Sequence, residues 1–114
     1  MTYEELEALG EMNEADAERA ETMTAAVEDT LEANSFRNMP RSVRIAGLGF
    51  GCMEIFCHDG VYTVVRNNGA GLDRLFDTDS ERKCFCALIS AIYGLRKPEG
   101  FAEEEYERSF GGRD

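Results

Sequence analysis

Residues 53–66 read Met-Glu-Ile-Phe-Cys-His-Asp-Gly-Val-Tyr-Thr-Val-Val-Arg, and this stretch decides the fold. Two short apolar runs, Met53–His58 and Val61–Arg66, flank Asp59-Gly60. Asp-Gly between such runs is the strongest short-range signal for a two-residue β-hairpin, because the tight turn needs positive φ at both central positions. A loop of that length pairs Cys57 with Tyr62 and Ile55 with Val64, and the period of two sets these side chains on one face. Upstream, Val43–Leu48 reads as another strand, Gly47, Gly49 and Gly51 as a turn or bulge, and residues 35–42, with Pro40, as a connection. Downstream, Asn67–Gly71 reads as a loop, with Leu72, Leu75 and Phe76 as later apolar contacts.

Helical periods flank this hairpin. Thr2 and Glu5 have the spacing of a capping box, and Tyr3, Leu6 and Leu9 recur at helical steps until Gly10. Asn13 can cap a second helix to about Ala33, with Asp16 near its positive end and Asn34 as a left-handed terminator. Its Ala20, Met23, Val27 and Leu31 form one packing face. Thr78 and Glu81 have capping-box spacing ahead of an apolar stripe of Cys84, Phe85, Leu88, Ala91, Ile92 and Leu95, interrupted at Gly94. Pro98 can open a last acidic helix to Tyr106, and Phe110 onward reads as a frayed tail. The expected architecture is one α+β domain over residues 1–114. It comprises an acidic helical segment (1–34), a small antiparallel β-sheet of about three strands (43–66), a core helix (79–94) and an acidic tail (98–114). The length suffices for a single core.

Charge is distributed unevenly. Residues 1–34 carry eleven carboxylates against Arg19 alone, whereas residues 35–97 hold nine bases and six acids. Glu11, Glu14, Glu18, Glu21, Glu28 and Glu32 recur at steps of three, four and seven, opposite the packing face. Such faces are commonly plain solvated surface. Here almost no base is interleaved, although salt-bridged helices mix signs at i and i+4, and the self-repulsion costs stability. A row of this kind selects a basic protein partner, a nuclease or another nucleic-acid-binding effector, and repels nucleic acid and anionic membrane. No run approaches the ~20 apolar residues of a membrane span. The chain opens Met-Thr-Tyr-Glu-Glu, unlike a basic signal-peptide start, so a cytoplasmic location is expected.

Reaction chemistry finds little support. Cys57 and His58 are neighbours on a strand and point to opposite faces, Cys84 and Cys86 diverge around a helix, and no C-x-x-C occurs, so no zinc ligand set is expected. A cysteine nucleophile needs a base, and the single histidine, His58, sits beside a turn, where such residues are usually just solvated. The Gly47–Cys52 glycine run lacks the third glycine of G-x-G-x-x-G and any G-K-[ST] ending. Asp77-Thr-Asp79-Ser-Glu81 lacks the glycine and final acid of a calcium loop. Neither a cofactor nor catalysis is expected, and the cysteines read as free thiols in a reducing compartment.

From Gly51 to Leu95, the Asp59-Gly60 hairpin, Val61–Arg66, a loop, Leu75-Phe-Asp-Thr-Asp79 and a capped apolar helix resemble a module of small bacterial immunity proteins that neutralise polymorphic toxins. The small size and acidic surface are also similar to phage anti-CRISPR proteins, many of which block a nucleic-acid-binding groove. Both resemblances imply inhibition by binding. The competing reading is a soluble adaptor or regulatory homo-oligomer, a homodimer for example, whose acidic helix only solubilises it. Because neither disulfide nor metal is expected to hold the fold, the unfolding midpoint should be the same with and without chelator and reductant. Stoichiometric zinc whose removal unfolds the protein would contradict this.

Overall fold

A computed structural model describes residues 2–34, 44–45, 52–67, 71–94 and 97–111. In chain order these form α1 (Tyr3–Gly10), α2 (Glu14–Ala33), β1 (Arg44–Ile45), β2 (Cys52–His58), β3 (Val61–Asn67), β4 (Leu72–Thr78), α3 (Glu81–Tyr93) and α4 (Phe101–Phe110). The class is α+β. The sheet order is β1-β2-β3-β4, with β2, β3 and β4 antiparallel and the two residues of β1 parallel to β2.

The hairpin has the register its sequence dictates. Ile55 pairs with Val64 and Cys57 with Tyr62, and the turn residues Asp59 and Gly60 have φ of 53° and 80°, the left-handed pair that matches strand twist. Ile55, Cys57, Tyr62 and Val64 enter the main core together with Met23, Val27 and Leu31 of α2, Phe85, Leu88 and Ile92 of α3, and Phe110 of α4. The second face of the sheet is covered more thinly. Phe56, Val65 and Leu72 are buried there against the half-buried Leu6 and Leu9 of α1, with Met12 in the connection touching both clusters.

Several expectations need correction. Leu72–Thr78 is a strand, not a loop with scattered contacts. Its register with β3 shifts at Val64/Val65. A bulge breaks the period of two that would announce a strand, and the resulting burial alternates poorly, with Leu75 among the exposed large hydrophobics. Asn67 ends β3 and so belongs to the sheet. The cap of α3 is Ser80, whose hydroxyl accepts from Lys83 N, while Thr78 ends β4 and accepts from Ser80 N. Ile89 and Tyr93 are buried on α3 where Ala91 is exposed, because the stripe turns further around the helix to meet α4.

The last helix starts at Phe101, not Pro98, and ends in a buried Phe110, not a frayed tail. Phe110 packs edge-on against Phe85 with ring centroids 5.6 Å apart and stacks on Tyr106 at 4.9 Å. Asn34 terminates α2 at φ −103°, outside the left-handed region, and its amide donates to Thr30 O and to Glu105 of α4. In α1 the capping box forms as expected, but Tyr3 is exposed. Of the expected 43–48 strand only Arg44–Ile45 is described; the 35–42 connection, the glycine turn and Leu95 lie outside the described residues.

Leu88 is fully buried at the centre of this arrangement. Leu88→Ala should cost about 2–5 kcal/mol of stability, read as a lowered denaturant midpoint at unchanged slope. An unchanged midpoint would place Leu88 outside the core.

Candidate functional site: an acidic helix face

The position of α2 is set at its first turn. Asn13 Oδ1 accepts from Asp16 N at 2.8 Å, the usual N-cap bond. Asp16 occupies the third helical position, from which an acid commonly reaches back to its own cap. Its carboxylate points elsewhere. Oδ2 accepts from Asp59 N at 2.9 Å, and Oδ1 accepts from Gly60 N at 3.3 Å, from Arg19 at 2.8 Å and from the Cys57 thiol at 3.5 Å. The side chain is thus spent on the hairpin turn, with only 2% of the residue exposed. The Asp59 N–H hydrogen bond above all, opposed by desolvation and aided by Gly60, Cys57 and Arg19, holds this carboxyl below its ordinary value of 3.8. Sequence reading gave Asp16 only a role in the helix dipole. The capping-box spacing from Asn13 was a signal that the side chain makes a specific bond, but a partner 43 residues away could not be read from it.

Beyond Asp16, buried Ala20, Met23, Val27 and Leu31 fix the rotation of the helix, as their spacing predicts. Glu14, Glu18, Glu21, Glu28 and Glu32 then fall within roughly 80° of arc at 100° per residue, on the opposite side. Glu14, Glu18, Glu21 and Glu32 are exposed, and Glu28 is half-buried. Ala25 takes the one place in the row without a charge. Glu11 is exposed too, but it terminates α1 through Glu11 N to Ala8 O and stands outside the helical row.

Among the described residues, none of these six glutamates has a basic partner. The ion pairs of the described part are Arg19–Asp16, Arg66–Asp73, Arg74–Asp77, Arg82–Glu107 and Arg108–Glu105. Arg19, the only base in the first 34 residues, is therefore drawn to the buried carboxylate and away from the row. The Glu28 carboxyl is pushed up from its ordinary range by burial and then by adjacent Asp29. Beside it, α2 and β2 flank an open groove of about 300 Å³, with Met12, Ala17, Ala20 and Ile55 among its walls and Glu21 and Glu28 on its lining.

Among the described residues, Cys57, Cys84 and Cys86 are free thiols held above the ordinary thiol range. Cys57 and Cys84 are fully buried. Burial pushes the Cys84 thiol up to about 12 and raises Cys57 and Cys86 as well, whereas a reactive cysteine needs a depressed value. His58 is half-buried and not simply solvated, since its Nε2 lies 2.7 Å from Leu9 O. A carbonyl only accepts, so Nε2 carries the proton and donates, fastening α1 to the hairpin. Among the described residues, no three His, Cys, Asp or Glu side chains gather as metal ligands, and no helix is long and apolar enough to cross a membrane. Compared with protein-family models, curated proteins and solved structures, the chain matches none.

The Asp16 contact makes a directional prediction. A carboxyl whose folded value is depressed contributes stability above its unfolded value, and that contribution disappears as pH falls through the folded one. Asp16→Asn should therefore lower the urea midpoint clearly at pH 7, and the gap from wild type should narrow below about pH 3.8. An equal gap at pH 7 and pH 2.5 would show that the carboxylate charge is not what holds the turn.

Proposed function

We propose that this chain is a small non-catalytic inhibitor that lays the outer face of α2 on a basic surface of a nucleic-acid-acting protein, occupying the place of the nucleic acid. The observation that carries this reading is the row of solvent-facing glutamates without cationic partners among the described residues. From Glu14 to Glu32 the row spans about 27 Å, with charges at intervals of roughly 4–10 Å at 1.5 Å rise per residue. That is the scale of the charges along a nucleic-acid backbone. Binding follows from the field. A same-sign row raises the encounter rate with a basic groove and excludes competing polyanion. Surface ion pairs are individually worth ~0–1 kcal/mol, so the effect is cumulative and no single glutamate dominates.

The test compares wild type with a Glu14→Lys, Glu18→Lys, Glu32→Lys variant, all three positions being exposed. Both are used to capture proteins from the source cell at low salt. The expected result is a nucleic-acid-acting protein held by wild type, lost by the variant and released by heparin, while circular dichroism shows both chains folded. Its affinity for wild type should fade as the Debye length shortens from ~10 Å at 0.1 M salt to ~3 Å at 1 M. If the two chains retain the same proteins, or wild type forms only a salt-insensitive homodimer, the row is a solvated surface and the adaptor reading replaces this one.

A further inference from the structure

Beside buried Ala20, the flank of α2 between its buried face and its acidic row carries the small residues Ala17 and Thr24, and Ala25 lies within the row itself. Opposite them stand Met12 and Ile55, so the helix surface is low there and a groove of about 300 Å³ remains. This is the bottom of the size range of ligand clefts, suited to one long side chain and too small to enclose a larger molecule. Its apolar walls reject a bare metal ion, and its two carboxylates, Glu21 and Glu28, reject an anion. A neutral apolar guest would leave the half-buried Glu28 further desolvated and unpaired, which is costly. The walls and lining together call for an apolar stem with a cationic end.

We propose that this groove receives an arginine side chain of the protein partner, its methylenes against Ala17, Ala20 and Ile55 and its guanidinium bonded to one of the two lining carboxylates, Glu21 or Glu28. The inference rests on the docking of α2 described under the proposed function and specifies the residue that the partner contributes. Arginine fits better than lysine because its guanidinium is weakly hydrated, lies flat on apolar surface and bonds a carboxylate through two parallel N–H groups. Glu21 and Glu28 are about 10 Å apart along the helix axis at 1.5 Å per residue. One can therefore take the fork while the other steers the charge. The chemistry of Glu28 agrees: a carboxyl held up by burial gains more from an arriving cation than one fully in water does.

The experiment titrates the 114-residue chain, at low salt, with tetra-arginine amide, tetra-lysine amide and the tetra-citrulline amide, which keeps the shape without the side-chain charge. Binding is followed residue by residue through backbone amide resonances. The expected result is saturable binding in the order arginine, lysine, citrulline, with the largest shifts at Ala17, Glu21, Ala25, Glu28 and Ile55. Ala25→Leu keeps every charge and nearly the same helix propensity, yet it should narrow the groove and weaken tetra-arginine about tenfold. Glu28→Gln should weaken it as well, with both variants checked for fold by circular dichroism. Equal binding of arginine and lysine, shifts spread evenly over residues 14–32, or wild-type affinity in Ala25→Leu would overturn the groove assignment. Ala25→Leu and Glu28→Gln leave Glu14, Glu18 and Glu32 unchanged, so the groove can fail while the charge-reversal variant still loses its captured partner, and the reverse.

Discussion

One buried carboxylate joins the two halves of this molecule. Asp16 takes the turn N–H groups of Asp59 and Gly60, the Cys57 thiol and the Arg19 guanidinium, so the first turn of α2 cannot shift without unsatisfying the hairpin. Both sides of the joint gain. The turn's two successive N–H groups both reach this carboxylate, and a helix start presents unsatisfied donors that favour an anion. The carboxylate sits where those two fields meet. Removing it would leave the two part-buried turn N–H groups and the buried Cys57 thiol without this acceptor, the more costly side of hydrogen-bond energetics.

From this joint the acidic row follows as geometry. With the first turn of α2 fixed at the hairpin and Met23, Val27 and Leu31 sunk in the core, no freedom of rotation remains, and the glutamates must face outward. The consumption of Arg19 by Asp16 has an electrostatic result as well, since it takes the segment's one cation to the side of the helix away from the glutamate row. Among the described residues no base then relieves self-repulsion along the row, a task left to solvent, salt or a partner. At the other end of α2, Asn34 reaches Glu105 of α4, so both ends of the helix are tied to elements of the core.

How much of this was legible depended on the range of the signal. The Asp59-Gly60 turn fixed the pairing of Ile55 with Val64 because loop length and alternation are local and agree. The rotation of α2 was likewise readable from Ala20, Met23, Val27 and Leu31. β4 was not, because the shift opposite Val64 and Val65 destroys the alternation on which a strand is recognised. Phe110 resembled a tail residue beside Gly111 and Gly112, and only the aromatic neighbours Phe85 and Tyr106 reveal it as core. Asp16 is the clearest case of a site residue hidden in a capping pattern, since local bonding accounts for the position and only tertiary structure supplies the second partner.

β4 also bears on how the sheet ends. Among the described residues it is the outermost strand of the sheet, next to β3 alone, and an exposed edge is an invitation to strand addition. A second copy pairing antiparallel about Leu75 would set Asp73 opposite Asp77 twice, crowding together the Arg66–Asp73 and Arg74–Asp77 ion pairs of the two copies. Arg74 is already engaged by Asp77 through two hydrogen bonds on its own strand, 3.1 Å and 2.8 Å, and is not available to neutralise the neighbour. The bulge beside it adds local twist, so a flat continuation of the ladder fits poorly. The strand that its sequence does not announce thus carries, in the bulge and in Asp73, Arg74 and Asp77, features that oppose strand addition along its outer edge.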